Sequence, residues 1–414
     1  MEYYPRKIEE KVEKWLNRKE IILIKGPRQC GKTTLLLHLQ EKLGGNYVSL
    51  EDEAILKTFE ENPKEFAKRY SNEQKTFLYI DEAQYSKNAG KNLKLLFDLF
   101  SDNLKLIVTG SGSFDIKVEI GNLVGRAIYF EMFPLDFEEF LMWRARDLHK
   151  IFIDYKNAVI DFILQGKGIS VTPSFEKEFQ SLLSEYLIYG GFPAIVKEKD
   201  EGIKRELLKN LTRTYLEKDI FFFLNIHHIE KFRSLLSYLS FNVGSLIEIS
   251  SIMNELKMDY RTVERYISIL ANTYVISLVS PFYKNLATEL KKAKKAYFID
   301  VGLRNSIMNN FMPLENRTDK GAILENFIFN ELRLNFDEKI NYWRTTSKAE
   351  VDFVIQKGDE IIPIEVKNQA KLKSGFFSFL KAYKPKRALV FTEKEFSVNK
   401  FDNTEVAFVP HYFI

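Results

Sequence analysis

Gly26-Pro27-Arg28-Gln29-Cys30-Gly31-Lys32-Thr33, with Thr34 behind it, is the stretch that decides the fold of this chain. Two glycines separated by four residues, then lysine and a hydroxyl residue, is the spacing of a phosphate-binding loop. The apolar run Ile21-Ile22-Leu23-Ile24 before it reads as a buried strand, and Thr34-Leu35-Leu36-Leu37-His38-Leu39 after it as the start of a helix. Glycine lets such a loop curl until its N–H groups point at phosphate oxygens. The following helix adds the partial positive charge of its N-terminus. Residues 26–34 are therefore expected to bind ATP, with Lys32 reaching the β- and γ-phosphates and the Thr33 hydroxyl taking one Mg²⁺ position.

Working outward, Phe77-Leu78-Tyr79-Ile80-Asp81-Glu82 is an apolar strand ending in two carboxylates. At a strand tip beside the loop, Asp81 is expected to hold Mg²⁺ and Glu82 to polarise the attacking water as a general base. Leu106-Ile107-Val108-Thr109-Gly110-Ser111 ends in hydroxyl residues, and Ser111 or Thr109 is the candidate γ-phosphate contact. Arg126 is a candidate arginine finger, set against the plainer reading of a salt-bridged surface arginine. Further strands are expected at 47–50 and 128–130, and a helix over 7–17. Strands alternating with helices predict an α/β fold with a mostly parallel sheet.

The pattern fades after Pro134-Leu135-Asp136-Phe137. From about 138 to 240 the chain reads as helical, broken by Gly166-Lys167-Gly168 and Gly190-Gly191-Phe192-Pro193. Residues 249–256 and 260–272 read as a helix-turn-helix. Two apolar runs, 275–279 and 296–299, flank a basic stretch like the strands of a wing. Lys284, Lys291, Lys292, Lys294, Lys295 and Arg304 form either a phosphate-tracking strip or a solvated face. The second helix is a poor basic reader, since Asp259 and Glu264 offset Arg261 and Arg265. In the last hundred residues a helix over 321–334 carries Glu325. A hairpin follows, with Asp352 on one strand and Glu365 and Lys367 two residues apart on the other. Period two places that last pair on one face.

These motifs together resemble the AAA-type ATPases of archaea and bacteria that carry a restriction-endonuclease-like C-terminal domain. The likeness rests on residues 26–35, Ile80-Asp81-Glu82-Ala83-Gln84, Val108-Thr109-Gly110-Ser111, Gly125-Arg126, Phe133-Pro134-Leu135, Tyr189-Gly190-Gly191-Phe192-Pro193 and the C-terminal stretch. It spans almost the whole chain, although residues 144–175 look longer than is usual there. It implies an ATPase domain at 1–143, a helical region at 144–240, a winged-helix-like domain at 241–300 and a restriction-endonuclease-like domain at 301–414. Glu325, Asp352, Glu365 and Lys367 resemble a nuclease core, in which carboxylates hold Mg²⁺ and the lysine helps activate water. The expected function is ATP hydrolysis coupled to a domain that binds or cleaves nucleic acid. The alternative is an ATP-dependent switch acting on a protein partner.

Composition narrows the setting. A net charge of +4 over 414 residues does not by itself announce a nucleic-acid binder. One cysteine, Cys30, allows no intrachain disulfide and favours a reducing compartment, so a cytoplasmic location is expected. No apolar run reaches the ~18 residues of a membrane span. The histidines do not cluster with cysteine, which argues against structural zinc. A homo-oligomer stays open, because an arginine finger acting in trans needs a neighbouring subunit.

Overall fold

The computed structural model describes residues 3–72, 74–111, 123–215, 226, 228–282 and 292–414. Among them the N-terminal sheet has five strands: β1 (Ile21–Lys25), β2 (Asn46–Ser49), β3 (Thr76–Asp81), β4 (Leu104–Gly110) and β5 (Ala127–Glu131). Their order is β2-β3-β4-β1-β5, with every pair parallel. Burial on both faces explains why β1 reads as an unbroken apolar run. Alternation sends Ile21 and Leu23 to one layer with Val48, Leu78, Ile80 and Val108. Ile22 and Ile24 go to the other, against Leu35, Leu36 and Leu39 of the helix Lys32–Leu43. From β1 the chain crosses to β2 at the far edge, and later it returns to the other side of β1 at β5. Ligands of open α/β sheets bind beyond the carboxyl ends of the strands where winding reverses. The loop 26–33 stands at that point. The expected helix over 7–17 is regular only over Lys7–Glu13.

Beyond Pro134 come the helices Phe137–Arg144, Arg146–Gln165, Glu176–Tyr189, Glu201–Thr214 and Ile229–Phe241. The helix pair Ile249–Leu256 and Tyr260–Asn272 lies where expected, the second capped by Asp259, which accepts from Thr262 N at 3.0 Å. Strands β6 (Ile276–Val279) and β7 (Lys295–Phe298) pair antiparallel. Lys284 and Lys291 of the expected basic strip lie outside the described residues. The helix Lys320–Asn335 leads into β8 (Ile340–Arg344), β9 (Glu350–Lys357), β10 (Glu360–Val366), β11 (Arg387–Thr392), β12 (Ser397–Phe401) and β13 (Thr404–Pro410). These form a mixed sheet ordered β12-β13-β11-β10-β9-β8.

The expected divisions at 240 and 300 do not separate cores. One apolar core runs from Leu135 to Ile414 across both. The helix Val301–Ile307 packs chiefly on Glu176–Tyr189 and Glu201–Thr214, so the break placed at 300 falls inside a packed unit. The long helix Arg146–Gln165, in the stretch noted as unusually extended, docks on the C-terminal sheet. Arg387 Nε donates to Ile163 O at 3.1 Å, and Tyr155 stacks on Phe413 with ring centroids 4.2 Å apart. Among the described residues no helix is long and apolar enough to cross a membrane.

The glycine pair at 190–191 is a joint between three segments. Leu135 N donates to Gly191 O at 2.7 Å, and Gly191 N donates to Asp300 Oδ2 at 2.7 Å. A Cβ on Gly191 would lie 2.0 Å from Leu135 O, so only glycine fits. Asp300 also caps the helix Val301–Ile307 through Leu303 N at 2.7 Å. Burial pushes its carboxyl up to about 6, only partly opposed by the N–H groups of Gly191, Leu303 and Gly302. A folded-state pKa above the unfolded one means that this group's contribution is full below about pH 4 and falls as pH rises through about 6. The shift corresponds to about 3 kcal/mol. Urea unfolding of wild type and Asp300→Asn from pH 4 to 8 should show wild type losing roughly that much more stability with rising pH than the variant.

Candidate ATP-hydrolysis site

The loop leaves β1 at Lys25 and turns through Gln29 (φ 58°) and Gly31 (φ 105°), both left-handed. Gly31 starts the helix Lys32–Leu43 with no side-chain cap, so the N–H groups of its first turn stay available to an anion. Lys32 is buried and donates to Gly26 O at 3.0 Å and Pro27 O at 2.6 Å.

Asp81 ends β3 and is the hub of the site. The Thr33 hydroxyl donates to its Oδ2 at 2.7 Å, and so does the Tyr47 phenol at 2.9 Å. Its Oδ1 accepts from the Thr109 hydroxyl and from Glu82 N, the latter at 3.0 Å. Strand β4 therefore sits between β1 and β3 and contributes Thr109 to the carboxylate. Thr33 and Asp81 present hard oxygen donors side by side at the carboxyl edge, a donor set that fits Mg²⁺. Burial, then the Asp81 charge, pushes the Tyr47 phenol well above its ordinary range, so it stays a donor.

Glu82 adopts a left-handed backbone, φ 56° and ψ 43°, that turns the chain off the end of β3. Gln84 Nε2 donates to Glu82 Oε2, and Ser111 N donates to Gln84 Oε1 at 3.0 Å. Ser111 thus enters the site through its backbone N–H, while the hydroxyl nearest the carboxylates is that of Thr109.

Arg126 lies away from the loop, paired as the plainer reading expected. It precedes β5 beside Ile21, where its carbonyl accepts Ile21 N at 2.8 Å. That is the amino edge of the sheet, a strand length from the loop, and its guanidinium pairs with Asp98 at 2.7 Å. It takes no part in the site of its own chain. A finger role would require a neighbouring copy.

Sequence reasoning missed Arg6. Its guanidinium donates to Cys30 O at 2.7 Å, Phe133 O at 2.8 Å and both carboxylate oxygens of Glu139 at 2.9 and 3.0 Å. One buried cation thereby joins the phosphate loop, the strand exit after β5 and the first helix beyond the sheet. Tyr47 and Gln84 were also missed as site residues, although Gln84 belongs to the motif at 80–84. Phenol and amide side chains give no pattern until the fold brings them to a carboxylate.

The C-terminal carboxylates do converge. Asp352 Oδ2 accepts from Lys367 Nζ at 2.9 Å and Val366 N at 2.8 Å, and Lys367 also pairs with Glu365. Glu325 pairs instead with Lys295 at 3.1 Å, which in turn pairs with Glu350. Burial works to raise the Asp352 carboxyl, but Lys367 and Lys295 outweigh it and hold it below the usual range. Burial and then the Asp352 charge push Glu365 well above. Burial works to lower Lys367, but Asp352 and then Glu365 outweigh it and drive it up. Among the described residues no three His, Cys, Asp or Glu side chains are grouped to hold a metal ion. As arranged, Lys367 lies between Asp352 and Glu365, and Lys295 between Glu325 and Glu350. Lys295 and Arg304 leave the expected basic strip. Both are buried, Arg304 pairing with Asp319.

Residues 18–141 match the AAA domain family, 180–314 a domain of unknown function (DUF8612) and 320–412 another (DUF4143). The division between 314 and 320 agrees with the helix Val301–Ile307 belonging to the middle region. An uncharacterized protein of Haemophilus influenzae is 27% identical over 84% of this chain and 82% of its own. The uncharacterized protein MJ1544 of Methanocaldococcus jannaschii is 30% identical over 81% of this chain and 72% of its own. This chain belongs to the MJ1544 family. Among solved structures, the Walker-type ATPase PABY2304 of Pyrococcus abyssi aligns over 74% of this chain and 96% of its own, with 17% identity and a TM-score of 0.48. The member of the MJ1544 family described here has an AAA-type ATPase domain at its N-terminus.

Arg6→Ala would leave Glu139 buried without its cation and release the Cys30 carbonyl. Chemical unfolding should show a loss of roughly 3–5 kcal/mol. Arg6→Lys should recover only part of it, because an ammonium cannot make the two-pronged contact.

Proposed function

We propose that this protein is a Mg²⁺-dependent ATP hydrolase whose nucleotide state acts as a switch on a protein partner through the helical and C-terminal regions. The observation that carries the reading is the Thr33–Asp81 contact at 2.7 Å, beside Lys32 at the winding reversal of the sheet. Bound there, Mg²⁺ would neutralise developing charge on the β- and γ-phosphates. The remaining roles belong to the chain. The loop N–H groups and Lys32 bind phosphate, Thr33 and Asp81 hold the ion, and Glu82 takes the proton of the attacking water. Arg6 ties the loop to Phe133 and Glu139, which gives loop movements a direct connection to the rest of the chain.

The protein-partner reading gains from the burial of Lys295 and Arg304, which removes two cations from the expected nucleic-acid strip. The convergence of Asp352, Glu365 and Lys367 favours a second reading, a C-terminal domain that binds or cleaves nucleic acid.

Glu82→Gln should bind ATP with near wild-type affinity and hydrolyse it roughly 100-fold or more slowly. Chelation of Mg²⁺ should abolish turnover in wild type. Steady-state hydrolysis with and without added DNA or RNA separates the two readings. An unchanged rate, and no Mg²⁺- or Mn²⁺-dependent cleavage, supports the protein switch. Stimulation together with cleavage lost in Lys367→Ala supports the second.

A further inference from the structure

Gln84 touches both the Glu82 carboxylate and the segment leaving the tip of β4. It is buried, 1% exposed, in the short turn Ala83–Tyr85 after β3. Its amide is used at both ends: Nε2 donates to Glu82 Oε2, and Oε1 accepts Ser111 N at 3.0 Å. Glu82 N is meanwhile held by Asp81 Oδ1 at 3.0 Å and lies 3.4 Å from the Thr109 hydroxyl. Backbone and side chain of Glu82 are thus secured by separate partners. The left-handed φ of 56° fixes where its side chain departs, and Gln84 fixes where that side chain ends.

We infer that Gln84 is a positioning residue for ATP hydrolysis, orienting the Glu82 carboxylate and coupling that orientation to the tip of β4. The inference rests on Glu82 being the general base. A glutamine suits the task because one planar amide offers a donor to the carboxylate and an acceptor to a backbone N–H at a fixed spacing. A donor to a carboxylate stabilises its charged form and restricts its rotation. Asparagine is one methylene shorter and cannot span both partners. Among the described residues, the titratable groups near this place include Asp81, on the adjoining residue, Tyr47, whose phenol feels the charge of both carboxylates and of Glu51, and Tyr85, which interacts with Glu51 and Arg28.

The decisive variant is Gln84→Glu, which keeps the shape and the acceptor for Ser111 N but, once ionised, cannot donate to Glu82 and repels it. Gln84→Glu should therefore lose roughly ten-fold or more in kcat. Gln84→Ala should lose a similar factor. Both should keep ATP affinity within about three-fold of wild type, read by fluorescence of a labelled ATP analogue, since neither change touches the loop. A purely structural role predicts the opposite division: Gln84→Glu active, and Gln84→Ala losing thermal stability and ATP affinity together. That result, or wild-type kcat in Gln84→Ala, overturns the inference. Glu82→Gln is the control for the reading beneath it. If that variant hydrolyses ATP normally, the base assignment fails whatever position 84 does. If it is inactive while both Gln84 variants are normal, only the role of Gln84 fails.

Discussion

The guanidinium of Arg6 is the point on which the two halves of this molecule bear. It is buried against Glu139, with side chains 6% exposed on either partner. A buried ion pair is costly to assemble and costlier to break, because either partner left alone is an uncompensated charge in a low-dielectric place. Two carbonyls, those of Cys30 and Phe133, each take a further N–H group, so the geometry of the cation is over-determined. The contact therefore sets where the phosphate loop stands relative to the segment leaving the sheet. Lys7 repeats the theme nearby, pairing with Asp136 and Glu138. Polar contacts at this junction have definite partners and directions, and so they have discrete alternatives. A greasy seam would not.

What the sequence made legible was local. The loop at 26–33, the strand ending in Asp81-Glu82 and the hairpin carrying Asp352, Glu365 and Lys367 each declare themselves within one short stretch of chain. Each lies on an element whose period or turn chemistry is strong. Helix boundaries at 249–256 and 260–272 were readable for the same reason. Arg6 was not, since its partner Glu139 is 133 residues away and an isolated arginine near a Pro carries no periodic signal. Lys295 misled for a related reason. A lysine in a basic stretch looks like surface, yet its strand is pinned between β6 and a bridge to Leu246, and its ammonium meets Glu325 and Glu350 inside. No composition change marks the place expected as a boundary at 300, where Asp300 caps a helix that packs on the middle region.

The C-terminal cluster sets four carboxylates around two ammonium groups. Lys367 meets Asp352 and Glu365, and Lys295, brought in from β7, meets Glu325 and Glu350. The acids outnumber the cations, and burial together with the Asp352 charge pushes Glu365 toward its neutral form. Lys295 is the part of this arrangement that no spacing along the chain announces, because it comes from a different strand pair.

Glu82 offers a last consequence. A non-glycine residue in the left-handed region is disfavoured by about 1–2 kcal/mol. If Glu82 is the general base proposed above, glycine at this position would relax the backbone and discard that base in one step. On that reading stability and turnover pull in opposite directions at residue 82, so a lineage released from the need to hydrolyse ATP would be expected to lose its acid there first, and to become sturdier as it did so.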